Sequence, residues 1–561
     1  MATNDKNMTS TYESLRTLSL HERFCLVRDN LGIPPLLCAL STFQLNDKDD
    51  LQGIQSNVEK RIQYLLDSVP LLSCFIEDPK ATFANFARRR DGSPYQSKDI
   101  LVRDAINWSQ EEDQNSTIEE RHALMEVRLI EWQKEHLRPR IDKPLWRVHF
   151  IQSSAQSDLI TLALSIHHVL TDGRAMINVM AFLSAPEYQP LSSPEILAGT
   201  VALKEILPPR NEDVMPYVKA SILMKVWLIV KDKLPSLLPD FIRRWFNLQA
   251  PWPAGALLKD APSPLTAEIS THVIMFRGGD SSIARPRERI YPSSVLDPLR
   301  ANGKKFGIPT IHPNVHTACL IGLGAMLKMD ERTEDKSTIL LTTHTPTTLR
   351  NLGEHGTVSG NFVGAYVHSQ LVPKKDDKVW RMSRDYLKAL TSPKTKIAAQ
   401  RLWSLLPVLF AKGRSLRYER SSKRTAEAPT VGEAYLLGKI KQADEGKATL
   451  GSLEISNPGM LTPLDSRIVG VSWMQNTSPT ASTMGVDVCR WKIAKDDKLN
   501  EGAINDGLTI SITIQKGIFV TPQQEKAFVH HVRRAMKLLL LDKWRTDITV
   551  GQLTEAIEAV D

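Results

Sequence analysis

Two adjacent histidines followed by an aspartate and a glycine, His167-His168-Val169-Leu170-Thr171-Asp172-Gly173, are the residues of this chain best placed to do chemistry. On a strand, neighbouring side chains point to opposite faces, so one imidazole can be packed while the other enters a cleft. Imidazole titrates near neutrality and suits general-base work on an attacking hydroxyl or amine. His168 is the candidate base and His167 the packed partner. Asp172 can close the turn by bonding backbone or an arginine, and Gly173 permits a conformation that a larger residue would resist. A metal fragment is the competing reading. Zinc would need a third ligand, and nothing nearby supplies one, so no metal is expected. The four-residue pattern arises by chance in about one such chain in a thousand.

The elements that must position this run can be read from periodicity. Trp146–Gln152 and Leu159–His168 read as strands of an antiparallel hairpin, with a polar turn between them and a helix from Arg174 to Leu183 after the motif. A catalytic group at a strand end, before a loop and helix, is rigid yet accessible. Upstream, Pro34–Phe43 reads as a strand and Leu51–Ser68 as a helix closed by Pro70. Leu71–Ile76 and Ala81–Phe86 are further strand candidates, and Ile118–His136 is a charged helix. Residues 185–265 are rich in proline and break the rhythm. Beyond them, strands are expected at Arg289–Tyr291, Ile339–Thr345, Gly451–Ser456, Arg467–Trp473, Val486–Ile493 and Leu508–Gln515. Helices are expected at Ser294–Phe306, Asn314–Leu327 and Pro522–Leu540.

At 561 residues the chain is too long for one ordinary core, so two lobes are expected. With 42% hydrophobic and 24% charged residues it is composed as a folded protein. The net charge of +8 and a pI near 9.0 suit an anionic partner: nucleic acid, a membrane surface or an anionic cosubstrate. Nucleic acid is the weakest of these, since no zinc-finger spacing or aromatic-plus-basic RNA motif is present. Five scattered cysteines and a polar N-terminus without a signal-like apolar stretch point to a reducing, cytoplasmic compartment. No stretch reaches the roughly 18 uninterrupted apolar residues of a membrane span. Residues 215–246 mix aliphatic and aromatic bulk with lysine and arginine, and fit either a connecting helix or a peripheral contact with endoplasmic reticulum or lipid droplets. The basic stretch Lys374–Arg424 reads as a solvated face, part of which could hold the phosphates of coenzyme A, and Arg417–Pro429 as a mobile loop.

The His-His-x-x-x-Asp-Gly run resembles the signature of the chloramphenicol-acetyltransferase-like superfamily, which includes peptide-synthetase condensation domains, plant BAHD acyltransferases and fungal alcohol acetyltransferases. More of the chain is similar, in order. Pro144-Leu145-Trp146-Arg147-Val148 resembles the strand before the signature. Thr345-Pro346-Thr347-Thr348-Leu349-Arg350 and Gly360-Asn361-Phe362-Val363-Gly364 resemble the second-lobe arginine and Gly-Asn-x-x-Gly elements. Ser456-Asn457-Pro458-Gly459 resembles the Ser-Asn-x-Gly segment of the fungal alcohol acetyltransferase branch. The Asp-Phe-Gly-Trp-Gly motif of the plant branch is missing, and no adenylation or carrier domain is read.

The resemblance implies an α/β fold of mixed sheets in two chloramphenicol-acetyltransferase-like lobes, with an active-site tunnel between them. Residues 1–195 would form the N-terminal lobe, 196–280 the inter-lobe connection and 281–561 the C-terminal lobe. It implies acyl transfer from acetyl-CoA or another acyl-CoA as cosubstrate, with no permanently bound cofactor, to a small-molecule alcohol of fungal secondary metabolism. Direct attack in a ternary complex would use His168 as base. Ser456, Asn457 and Asn361 are the oxyanion or tunnel candidates, with a tight turn the competing role for Asn361 and Gly364. Asp172 would be structural, against Arg147 or Arg350. A monomer is expected. An amine acceptor, a carrier-bound acyl donor and a non-catalytic lipid-surface protein are the competing readings. An acidic residue lining the acceptor pocket would favour the amine.

Overall fold

A computed structural model describes residues 11–559 except 47, 80, 82–83, 91–94, 104–115, 141–142, 153–157, 188–206, 216–220, 225, 227–229, 231–237, 247–250, 253–267, 279–293, 330–338, 351–359, 406–430, 445–450, 477–481, 495–505 and 541–547. The strand expected at Arg289–Tyr291 and the loop expected at Arg417–Pro429 lie outside the described residues.

The first half runs β1 (Tyr12–Thr17), α1 (Leu20–Asn30), β2 (Leu36–Gln44), α2 (Lys48–Ser68), β3 (Phe75–Ile76), β4 (Asn85–Arg89), β5 (Leu101–Arg103), α3 (Ile118–His136), β6 (Trp146–Gln152), β7 (Leu159–His167) and α4 (Gly173–Leu183). The second half adds β8 (Ile269–Arg277), α5 (His312–Met329), β9 (Leu340–Thr348), β10 (Val363–Leu371), β11 (Leu453–Leu464), β12 (Ile468–Gln475), β13 (Met484–Ile493), β14 (Asp506–Gln515) and α6 (Pro522–Leu540). β6 and β7 pair antiparallel, the hairpin their patterning predicts. β7 is buried along its whole length at the middle of a five-stranded sheet ordered β12-β2-β7-β6-β5, which explains why its sequence is almost continuously apolar.

Two large cores result. One packs α2 and α4 against this sheet, and the other packs α5 and α6 against a six-stranded sheet ordered β10-β9-β11-β13-β14-β8. The sheets do not follow chain order. β12 comes from the second half yet pairs antiparallel with β2, joining Trp473 to Ala39 and Gln475 to Leu37. β11 passes between the cores: Leu453 and Ile455 belong to the second, Leu461 and Leu464 to the first. Its register with β13 shifts between Ser456 and Gly459, a bulge that falls between those two pairs. The two lobes are therefore stitched together by continuous strands.

Some local expectations shift. Within Leu71–Ile76 only Phe75–Ile76 is a strand, because Pro70 opens a 3-10 turn through Ser73. The strand expected at Ala81–Phe86 forms later, at Asn85–Arg89, where it pairs with β1. β8 emerges from the tail of the proline-rich connection and pairs with β14. Among the described residues no helix is long and apolar enough to cross a membrane. Ile222, Leu223, Val226, Val230, Phe241, Trp245 and Phe246 are nevertheless exposed, Leu223 to 82% and Trp245 to 80%.

Candidate functional site

His168 sits one residue past β7. Its N–H still donates to the Pro35 carbonyl at 2.9 Å, which holds the backbone rigid while the side chain leaves the sheet. Its ring is half-buried at the wall of a cavity of about 170 Å³ lined by elements of both halves. His167 points the other way and is fully buried. Its Nδ1 accepts the Val169 N–H at 3.1 Å, which leaves the proton on Nε2, 3.6 Å from the Asp29 carboxylate. The two imidazoles thus occupy opposite faces, one packed and one facing open space.

Asp172 is the N-cap of α4, with Oδ1 accepting the Ala175 N–H at 2.9 Å. Oδ2 accepts from Arg350 Nη2 at 2.6 Å and from the Phe362 N–H at 3.1 Å. Arg350 also donates to the Gly360 carbonyl, and that carbonyl accepts the Asp172 N–H. Both carboxylate oxygens are committed: Oδ1 caps α4, and Oδ2 staples the histidine turn to the second half of the chain. Arg147 takes no part in it; its Nη1 donates to the carbonyls of Pro144 and Trp146. Gly173 lines the cavity, and an added Cβ there would lie 3.4 Å from both Pro458 Cβ and Trp473 Cη2. Absence of a side chain lets α4 approach β11 and β12 closely.

Asn361 reaches back to His168. Its Nδ2 donates to the His168 carbonyl at 2.6 Å and lies 3.1 Å from His168 Nδ1. Gly360, which precedes it, has φ +143°, a region open to glycine. Gly364 is in the cavity wall, and a Cβ there would come within 2.9 Å of Leu349 Cδ2. Ser456 lines the cavity at the bulge of β11. Asn457 is not part of the wall, and its Oδ1 is buried without a partner.

Burial pushes the His168 pKa down to about 4, against the opposing pull of a hydrogen bond to its own carbonyl and of the Asp172 charge, with Arg28 lowering it further. The ring is therefore neutral across the physiological range. His21 lies edge-on to it with ring centroids 5.4 Å apart, and packs on Trp403 at 4.5 Å. Its own pKa is held well below the ordinary value by burial and by His168.

Sequence patterning missed this neighbourhood. His21, Phe24, Cys25 and Arg28 all line the cavity, and their spacing places them on one face of α1. The helix starts at a capping box: the Glu22 N–H donates to Ser19 Oγ, and Glu22 Oε2 accepts the Ser19 N–H. Ser19-x-x-Glu22 was the legible signal. Glu454 and Gln475 in the opposite strands complete the polar wall, 2.6 Å from each other. Burial raises the Glu454 pKa, with Arg28 and the Gln475 hydrogen bond opposing. No cluster of metal-ligating residues is present among the described residues.

No protein-family model and no curated protein matches the sequence. Solved structures do. The chain is similar to trichothecene 15-O-acetyltransferase from Fusarium sporotrichioides at 10% identity and a TM-score of 0.57, over 96% of this chain and 97% of that one. It is similar to the condensation domain of the monacolin K polyketide synthase MokA at 11% identity and a TM-score of 0.52, over 96% of this chain and 100% of that one. At such identities the likeness establishes the fold: two lobes of mixed α/β structure, matched end to end, as the sequence led us to expect.

Proposed function

We propose that this chain transfers an acyl group from acyl-CoA, acetyl-CoA in the first instance, to an alcohol hydroxyl of a small molecule, with His168 as general base. One observation supports this most: a half-buried, neutral imidazole opens on a cavity where both lobes meet, held from behind by Asn361. Acting as base at Nε2 requires the ring proton on Nδ1, which leaves the Nε2 lone pair for the acceptor. The acceptor oxygen attacks the thioester carbonyl as His168 Nε2 takes its proton. A tetrahedral oxyanion forms, for which the Ser456 hydroxyl is a candidate donor in the wall. Collapse breaks the carbon–sulfur bond, and the departing thiolate recovers the proton from His168. No acyl-enzyme is required. The likeness in fold to an O-acetyltransferase supports the alcohol reading and the fungal alcohol acetyltransferase comparison. The likeness to a condensation domain keeps a carrier-bound donor as the competitor.

An amine acceptor is the second reading: Glu454 is an acidic side chain in the wall, and an ammonium beside it would favour its ionised form against the pull of burial. The deciding assay is thiol release from acetyl-CoA with matched alcohols and amines. Release with alcohols supports the first reading, release with amines only supports the second, and none with any acceptor or chain length removes free acyl-CoA transfer.

The pH profile is a further expected result. His168 is unprotonated above its pKa of about 4, so kcat/KM stays level as pH falls from 8 to 5.5. A loss of activity through pH 6.5, the ordinary imidazole range, would remove the buried-base reading.

The exposed apolar residues Ile222, Leu223, Val226, Val230, Phe241, Trp245 and Phe246 suit delivery of a greasy acceptor from an anionic lipid surface, with Lys225, Lys231 and Lys233 between them in the sequence. Sedimentation with phosphatidylserine vesicles is expected to carry down the native protein and not the double variant Phe241→Asp, Trp245→Asp. Failure of the native protein to bind would confine it to solution.

A further inference from the structure

Arg28 is the unexplained charge in the cavity wall. It comes from the seventh position after His21 on the cavity face of α1, so the same helix that brings an imidazole edge against His168 also brings a guanidinium. Its Nε and Nη2 are sealed from solvent and have no hydrogen-bond partner. Among the described residues no carboxylate lies within ion-pair distance of it. Glu454 is the nearest acidic candidate across the wall, but its carboxylate is bonded to Gln475 Nε2, and burial drives it towards the neutral form. Guanidinium nitrogens sealed without a partner are costly, and a ligand that supplies the counter-charge offsets that cost. A guanidinium in the wall pairs with a carboxylate through charge-assisted N–H bonds.

We propose that the acceptor is an acid, whose carboxylate docks on Arg28 while its nucleophilic group lies at His168. This rests on the acyl-transfer reading for the second half of that statement only; the docking of a carboxylate on Arg28 stands without it. The two groups face one small cavity, which limits the acceptor to a compact hydroxy or amino acid at this end. Docking also changes the base. Arg28 pulls the His168 pKa down, so neutralising it with a bound carboxylate lets that pKa rise in the complex. The proton-accepting power of His168 is then greatest when an acid is in place.

The test uses the full chain and pairs each of lactate, 3-hydroxybutyrate and mandelate with its primary amide. Quenching of tryptophan fluorescence reports occupancy, since Trp403 and Trp473 line the cavity. At least one acid is expected to bind about 30-fold or more tightly than its amide, and this ratio is expected to collapse in Arg28→Gln and to recover in part in Arg28→Lys. With the preferred acid, the kcat profile should inflect at higher pH than the kcat/KM profile, and with the amide it should not. Equal binding of every acid and amide, or an acid preference that survives Arg28→Gln, overturns the proposal. An Arg28→Gln chain that fails to fold leaves the acid-to-amide ratio of the native protein and Arg28→Lys as the deciding pair. An acid that binds through Arg28 without supporting thiol release removes acyl transfer and keeps the docking site. Thiol release with neutral alcohols alone keeps acyl transfer and removes the docking site.

Discussion

Replacing His168 by alanine is expected to cut acceptor-dependent thiol release by ~10²–10⁴-fold, the usual loss when a general base is removed. The protein should remain folded, because the ring is half-buried at a cavity wall and the backbone N–H of residue 168 keeps its bond to Pro35. The fall should appear in kcat, since the base acts in the transition state and the wall still binds acceptor. Asn361→Ala should follow the same direction at smaller amplitude, because the amide only holds the imidazole's backbone and Nδ1 edge. Equal activity in the His168→Ala and native proteins would leave the cavity as a binding site without this chemistry.

Replacing Asp172 by alanine is expected to cost about 3–5 kcal/mol of stability, the range seen when one partner of a buried ion pair is removed. The side chains of Arg350 and Asp172 are 1% and 3% exposed, so the guanidinium left without its counter-charge cannot turn to water. The cap of α4 goes as well, worth about 1 kcal/mol. Arg350→Met should destabilise comparably, and the double variant should cost clearly less than the two losses added together. Denaturant midpoints check this, with Arg147→Ala as the contrast. That residue satisfies only nearby carbonyls and should cost under about 1 kcal/mol. A native-like midpoint for Asp172→Ala would show that the staple does not hold the lobes.

What the sequence made legible was whatever is local. The strand–histidine–glycine–helix passage is written in consecutive residues, as are the apolar run of β7 and the period of α6. α1 was illegible for a physical reason: Glu22, Arg23, Arg28 and Asp29 give it no clean apolar stripe, because the face that carries His21 and Arg28 looks into a cavity. Only its capping box announces it. β10 was missed because it is an edge strand whose partly exposed residues do not alternate cleanly. The choice between Arg147 and Arg350 against Asp172 depended on contacts across 178 positions of chain, which no spacing rule encodes. Glu454 and Gln475 lie in the wall for the same reason.

The pairing of β12 with β2 has a consequence for how the protein is made. On a ribosome, Leu36–Gln44 emerges early, whereas the strand that covers its outer edge ends at Gln475. At ordinary elongation rates that is a delay of roughly 20–90 s. For all of it, a nine-residue segment with no charge and no proline presents an unsatisfied row of backbone donors and acceptors. Native stability does not protect against this, because the hazard precedes the native state. The yield of folded protein should therefore depend on translation speed and on chaperones that shield an open sheet edge, and a synonymous change that slows synthesis between those two strands would lower it.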